Sequence, residues 1–101
     1  MPEPMRIKCA AIRYQGRMYL GRRHCEIGCW MVANGICPQP YPGGEDQGFA
    51  TECGRFVRRA PAKAIARRAG QITRERAGNA LYSEDMNIPE MQPQEGGTLG
   101  C

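Results

Sequence analysis

Arginine dominates the chemistry open to this sequence. Twelve arginines stand against two lysines in 101 residues. A guanidinium presents a planar fork of N–H donors that matches phosphate and carboxylate oxygens, whereas an ammonium presents a point charge. Their placement is uneven. Eight basic residues (Arg55, Arg58, Arg59, Lys63, Arg67, Arg68, Arg74 and Arg76) fall between Arg55 and Arg76 beside one acid, Glu75, while residues 77–101 hold four acids and no base. Such polarity suits an anionic partner; the plainer alternative is a solvated helix face.

Nucleic acid would call for aromatic side chains interleaved with the basic stretch to stack on bases. Only Phe56 falls within that stretch, so a short phosphate-bearing molecule fits at least as well. Aromatic walls for a base are available at Phe49, Phe56 or Tyr82, and hydrogen bonds from Gln47, Thr51, Gln71 and Ser83, each of which also has ordinary structural uses. Catalysis finds little support. The one histidine, His24, could act as a base, but no G-x-S-x-G or H-E-x-x-H pattern accompanies it. Glu84 and Asp85 are adjacent and point apart on an extended chain, and Gly43-Gly44 is not followed by G-K-[ST]. A binding protein is expected rather than an enzyme, with no cofactor.

The cysteines Cys9, Cys25, Cys29, Cys37, Cys53 and Cys101 form no C-x-x-C unit. His24, Cys25 and Cys29, with Cys9 or Cys37 as a fourth ligand, come nearest to a zinc set. The preferred reading is buried free thiols acting as small hydrophobes, and no metal.

Two β-hairpin/helix (ββα) units must position these residues, an α+β arrangement in one small domain over residues 6–86, between a disordered lead at 1–5 and a flexible tail at 87–101. Ile7, Cys9 and Ala11 share one face of a first strand, Tyr14-Gln15-Gly16-Arg17 can turn, and Met18 and Leu20 resume the alternation. His24 to Asn34 places Ile27, Trp30, Met31 and Asn34 at helical spacing before Gly35. Residues 38–46 carry three prolines and two glycines and read as a water-facing loop. A second hairpin follows from Gln47 to Arg58 around Glu52-Cys53-Gly54, anchored by Phe49 and Phe56. Ala60 to Ala69 then reads as a helix with Ala62, Ile65, Ala66 and Ala69 inward and Lys63 and Arg67 outward.

Ile, Leu, Val and Phe supply only 14 residues of 101. A core this thin is usually reinforced by a ligand, a metal or a partner subunit, so self-association is expected. The longest apolar run, Cys29 to Ala33, is far too short to cross a bilayer. An intracellular protein with reduced thiols is the corresponding expectation.

The run Gln47-Gly48-Phe49-Ala50-Thr51-Glu52-Cys53-Gly54-Arg55-Phe56-Val57-Arg58-Arg59, the helix ending Ala69-Gly70-Gln71-Ile72, and Leu81-Tyr82-Ser83-Glu84-Asp85 together resemble a family of small bacteriophage proteins. Arg6-Ile7-Lys8-Cys9-Ala10-Ala11 leading to Gly21-Arg22-Arg23-His24 extends the likeness over about residues 6–86. The loop 38–44 and the segment after Met86 depart from it. Some members of what looks like this family are anti-defence proteins of the Thoeris type, which sequester cyclic ADP-ribose signals without cleaving them and assemble as homo-oligomers with shared pockets. The resemblance therefore implies a small anionic nucleotide ligand, a homo-oligomer and action in the host cytoplasm. Arg22, Arg23, Arg58 and Arg67 would then meet a pyrophosphate, Phe49 or Tyr82 a base, and His24, Gln47, Thr51, Gln71 and Ser83 the remaining polar groups. A different class of function, inhibition of a host defence complex such as a CRISPR effector, or direct nucleic-acid binding through residues 55–76, is compatible with the same segregated charge.

Overall fold

The computed structural model describes residues 5–98. Two ββα units appear in the expected order: β1 (Ile7–Tyr14), β2 (Arg17–Gly21), α1 (His24–Ala33), β3 (Gln47–Thr51), β4 (Phe56–Arg58), α2 (Arg59–Arg68) and a last strand, β5 (Gln94–Thr98). Gln15 and Gly16 make the first turn with φ of 49° and 78°, the left-handed pair that a two-residue hairpin requires. All five strands form one antiparallel sheet in the order β4-β3-β1-β2-β5. Because β2 and β3 both pair with β1, helix α1 crosses over β1 to join them.

The register assigns the two faces. Ala10 and Ile12 stand beside Phe49 and Gln47 on one side and Gly21 and Tyr19 on the other. This is the helix-covered face: Phe49 meets the His24 ring edge-on at 5.3 Å, and Tyr19 lies 6.3 Å from Trp30. Ala11, Leu20, Gly48, Ala50 and Phe56 take the opposite face. Both faces of the central strands are buried, with Ala10, Ala11, Ile12 and Phe49 at zero exposure.

Small residues make the thin core sufficient. A Cβ on Gly21 would lie 2.6 Å from Ile27 Cγ1, and one on Gly48 would lie 2.2 Å from the Val57 carbonyl oxygen and 2.7 Å from Phe56 Cζ. Layers that approach this closely bury their few aliphatics fully, and packing density rather than aliphatic count sets the stability.

Three features differ from the sequence expectations. Lys63 does not point outward: it is 7 % exposed, and its Nζ donates to the carbonyls of Arg76 and Gly78, each at 2.7 Å. Its long apolar stem lies along the helix flank while the head caps the 76–78 turn. Tyr41 leaves the water-facing loop to pack its ring on Gly28 of α1. The third concerns the expected tail. Met86 and Ile88 are buried at 5 % and 1 %, and Gln94–Thr98 pairs with β2 as an edge strand. Glycine and proline content suggested a loose segment. The exposed edge of β2 instead offers backbone partners, and Gly96 clears Leu20, whose Cγ would stand 2.6 Å from a Cβ there. The packed unit thus runs past Met86, while residues 1–4 of the expected lead and 99–101 of the expected tail lie outside the described residues.

Truncating Ile88 to Ala tests this docking. A buried aliphatic costs roughly 2–5 kcal/mol when cut to Ala, so urea denaturation should show a loss in that range; a change of a few tenths would mean that the segment is not part of the cooperative unit.

Candidate functional site

Helix α2 begins at Arg59, whose backbone and side chain tie together four stretches of chain. Its carbonyl accepts from Leu81 N at 3.1 Å, and its Nη1 donates to the Leu81 carbonyl at 2.8 Å, clamping the segment that follows the basic stretch against the helix start. Nη2 donates to Gln47 Oε1 at 3.0 Å on β3 and approaches Nδ1 of His24 on α1 at 3.4 Å. The guanidinium carbon lies 4.9 Å from the centre of the Tyr82 ring, within range of a cation–π attraction. Among the described residues Arg59 forms no ion pair. Burial lowers its pKa from the ordinary arginine value, with Tyr82 and Glu84 pulling the other way. Of five N–H donors, three are taken by neutral acceptors, which leaves one on Nη1 and the Nε–H.

His24 is fixed by its two ring nitrogens. Nε2 lies 2.7 Å from the Gly48 carbonyl, which can only accept, so Nε2 carries the proton and Nδ1 presents its lone pair to Arg59. Burial, with the positive Arg59 adding to it, outweighs the Gly48 carbonyl and brings the ring pKa down to about 4. A neutral, fully engaged imidazole orients Arg59; it has no free nitrogen for acid–base work.

Asp85 and Arg76 complete the wall. Arg76 Nε lies 3.0 and 3.2 Å from the two Asp85 oxygens, and its Nη2 reaches Glu84 at 3.3 Å. Asp85 is 1 % exposed. Burial pushes its carboxyl up, but the bonds from Arg76 and the Tyr82 N–H prevail and hold it below its ordinary value. Arg76 also sits 4.3 Å from the Tyr82 ring centre. The 38 % exposed Tyr82 is thereby held by two guanidinium groups at the edge of an open concavity of about 570 Å3, lined by Gly44, Glu45, Gln47, Arg58, Arg59, Ala60, Ala80 and Tyr82.

Of the residues singled out from the sequence, Gln47, Arg58 and Tyr82 line this basin, and His24 lies directly behind Arg59. Arg23 and Ser83 meet each other, Arg23 Nη1 donating to the Ser83 carbonyl at 3.2 Å, and brace the same segment. Phe49 is beneath His24 at zero exposure and is not among the residues that line this basin. Three candidates lie elsewhere for evident reasons. Buried Thr51 accepts from Arg55 N at 3.0 Å and holds the β3–β4 turn; Gln71 bonds both N and O of Ile7; and Arg67 pairs with Glu75 beside Lys63, on a separate depression of about 390 Å3. Arg22 is half-buried with its Nε unpartnered. The nearest approach to a zinc set does not come together: His24 turns inward while Cys25 and Cys29 are exposed, and no group of three metal-ligating side chains occurs among the described residues. Buried thiols occur at Cys9 and Cys37, whereas Cys53 joins the exposed pair.

Arg59 itself and Arg76 were the residues missed. A signal existed for Arg59: a basic residue in the first turn of a helix, with no acid there, opposes the helix dipole. A local preference broken in this way marks a residue held for another purpose.

Fold and site together define a small α+β protein with a basic, aromatic-edged surface basin. It belongs to the phage T4 y16D protein family, whose model matches residues 6–87. That span takes in both ββα units and the wall segment around Tyr82, and it agrees with the resemblance to small phage proteins over residues 6–86. No curated protein and no solved structure matches the chain.

The His24 geometry predicts a pH dependence. Above about pH 6.5 the ring is neutral folded and unfolded; between 6.5 and about 4 the unfolded chain binds a proton that the folded one refuses. Stability should therefore fall by about 3 kcal/mol as pH drops through that window, while the loss of the Arg76–Asp85 pair comes only below the ordinary Asp value of 3.8. Urea titrations at pH 7.5 and 4.5 measure it, and His24→Gln, which keeps a donor for Gly48, should flatten the difference. An unchanged slope in that variant would show that His24 is not the titrating group.

Proposed function

We propose that this phage-family protein is a non-catalytic binder that sequesters a pyrophosphate-bearing nucleotide of the cyclic ADP-ribose class implied by the Thoeris-type resemblance. The observation that carries the reading is Arg59, a guanidinium oriented by neutral partners, with unused donors and no carboxylate taking its charge, at a concavity whose size lies within the range of small-molecule sites. Arg58 stands beside it for a second phosphate. Gln47 and the exposed edge of Tyr82 offer polar and aromatic contact for ribose or base. Affinity alone would be the mechanism: the one histidine near the basin has both nitrogens engaged. A homo-oligomer in the host cytoplasm belongs to the same proposal, since the basin is open and a second copy could close it.

One observation favours a macromolecular partner instead. Arg55, Arg68 and Arg74 are exposed and form no ion pair among the described residues, so three positive charges outside the basin face solvent. A nucleic acid or a host defence complex could use them, with binding that falls steeply as salt rises.

Isothermal titration of ADP-ribose and cyclic ADP-ribose isomers against the protein and Arg59→Gln tests the main reading. A charge-assisted hydrogen-bond contact of this kind is worth roughly ten- to a hundred-fold in affinity, and Arg59→Lys should retain part of it if the fold of the Gln variant suffers. Ligand must be recovered chemically intact. Equal binding by the wild type and Arg59→Gln, or recovery of a hydrolysed product, overturns the proposal.

A further inference from the structure

The two arginines that line the basin are not equivalent. Arg59 faces neutral acceptors, whereas Arg58 Nη1 is held at 3.2 Å by Oε1 of Glu45, another lining residue. Both members of that pair are largely exposed, at 58 % and 77 % of their side-chain surface. The short turn that carries Glu45, residues Gly44–Asp46, is anchored on its other side: Asp46 Oδ1 accepts from Arg13 Nε at 3.0 Å, and Arg13 in turn lies 5.0 Å over the Phe56 ring. Gln47 Nε2 closes the loop behind it by donating to the Pro42 carbonyl at 3.1 Å. The turn is thus fixed to the sheet through Asp46 and leaves Glu45 standing over the basin as an internal anion.

Resting on the anion-binding reading above, we infer that Glu45 is a specificity-determining residue, competing with the second phosphate of a ligand for Arg58. A single phosphate is served by Arg59 and leaves the Glu45–Arg58 pair in place. A pyrophosphate that reaches Arg58 must share it with Glu45 or displace Glu45, and in either case that carboxylate stands beside the ligand's added charge. Exposed ion pairs are weak, so this contact grades ligands by charge and length without closing the site.

Titrations with inorganic phosphate and inorganic pyrophosphate at low ionic strength test the inference on the wild-type protein, Glu45→Gln and Arg58→Gln. Glu52→Gln, an exposed acid in the β3–β4 turn, controls for net charge. Neutralising Glu45 should tighten pyrophosphate by roughly two- to five-fold, the size expected from releasing one exposed pair. Phosphate binding should be the same as in the control, and Arg58→Gln should bring pyrophosphate affinity down to that of phosphate. Equal pyrophosphate affinity in wild type and Glu45→Gln overturns the role of Glu45 while leaving the anion site standing. Failure of the wild type and both basin variants to bind either ion overturns the anion site and this inference with it.

Discussion

A guanidinium held by uncharged acceptors organises this molecule. Arg59 joins the start of α2 to the Leu81 carbonyl, to Gln47 on β3 and to the His24 ring on α1, so the two ββα units and the wall segment meet at one side chain. Its half-buried charge costs desolvation energy that Tyr82 and Glu84 offset only in part, and no carboxylate is paired with it among the described residues. An arrangement selected for stability alone would place an acid there, as the protein does for Arg76 with Asp85. Retaining an open positive charge where α1, α2, β3 and the segment around Tyr82 meet is a local conflict of the kind expected at functional sites.

That junction explains why the rest of the fold is built from small residues. Helix α1 can bring His24 to the Gly48 carbonyl and the Phe49 ring because the sheet beneath presents Ala10 and Gly21 rather than bulky aliphatics. The result is a sheet with both central faces buried and few large side chains. The cost in aliphatic area is offset by the C-terminal segment, which adds Leu81, Met86 and Ile88 to the core and a fifth strand to the sheet.

Much of the fold was legible because its signals are local. Gln15-Gly16 and Cys53-Gly54 marked both hairpin turns, and Gly35 and Gly70, at φ of 70° and 71°, marked both helix ends. β5 was not legible: Gln94-Glu95-Gly96-Gly97-Thr98 has no alternation of its own, and its strand character is imposed by the edge of β2. The site was legible in part for the same reason. His24, Gln47, Arg58 and Tyr82 stood out by residue type and prove to be neighbours, but the residue that joins them did not. Thr51 and Gln71 share the chemistry of ligand contacts and spend it on backbone groups, a distinction that depends on partners at sequence separations of up to 64. Lys63 reads as a solvent-facing helix residue until the 76–78 turn folds over it.

The central claim is that Arg59 is ordered in the ligand-free protein and keeps N–H donors for an anion. Side-chain NMR of the arginine Nε–H groups, assigned through an Arg59→Lys variant and followed as pyrophosphate is added, tests it most directly. The account predicts an Arg59 resonance distinct in chemical shift from the exposed arginines before addition and displaced by it. An Arg59 signal that averages with the solvent-exposed side chains in the free protein, or that stays unmoved at saturation, would contradict it.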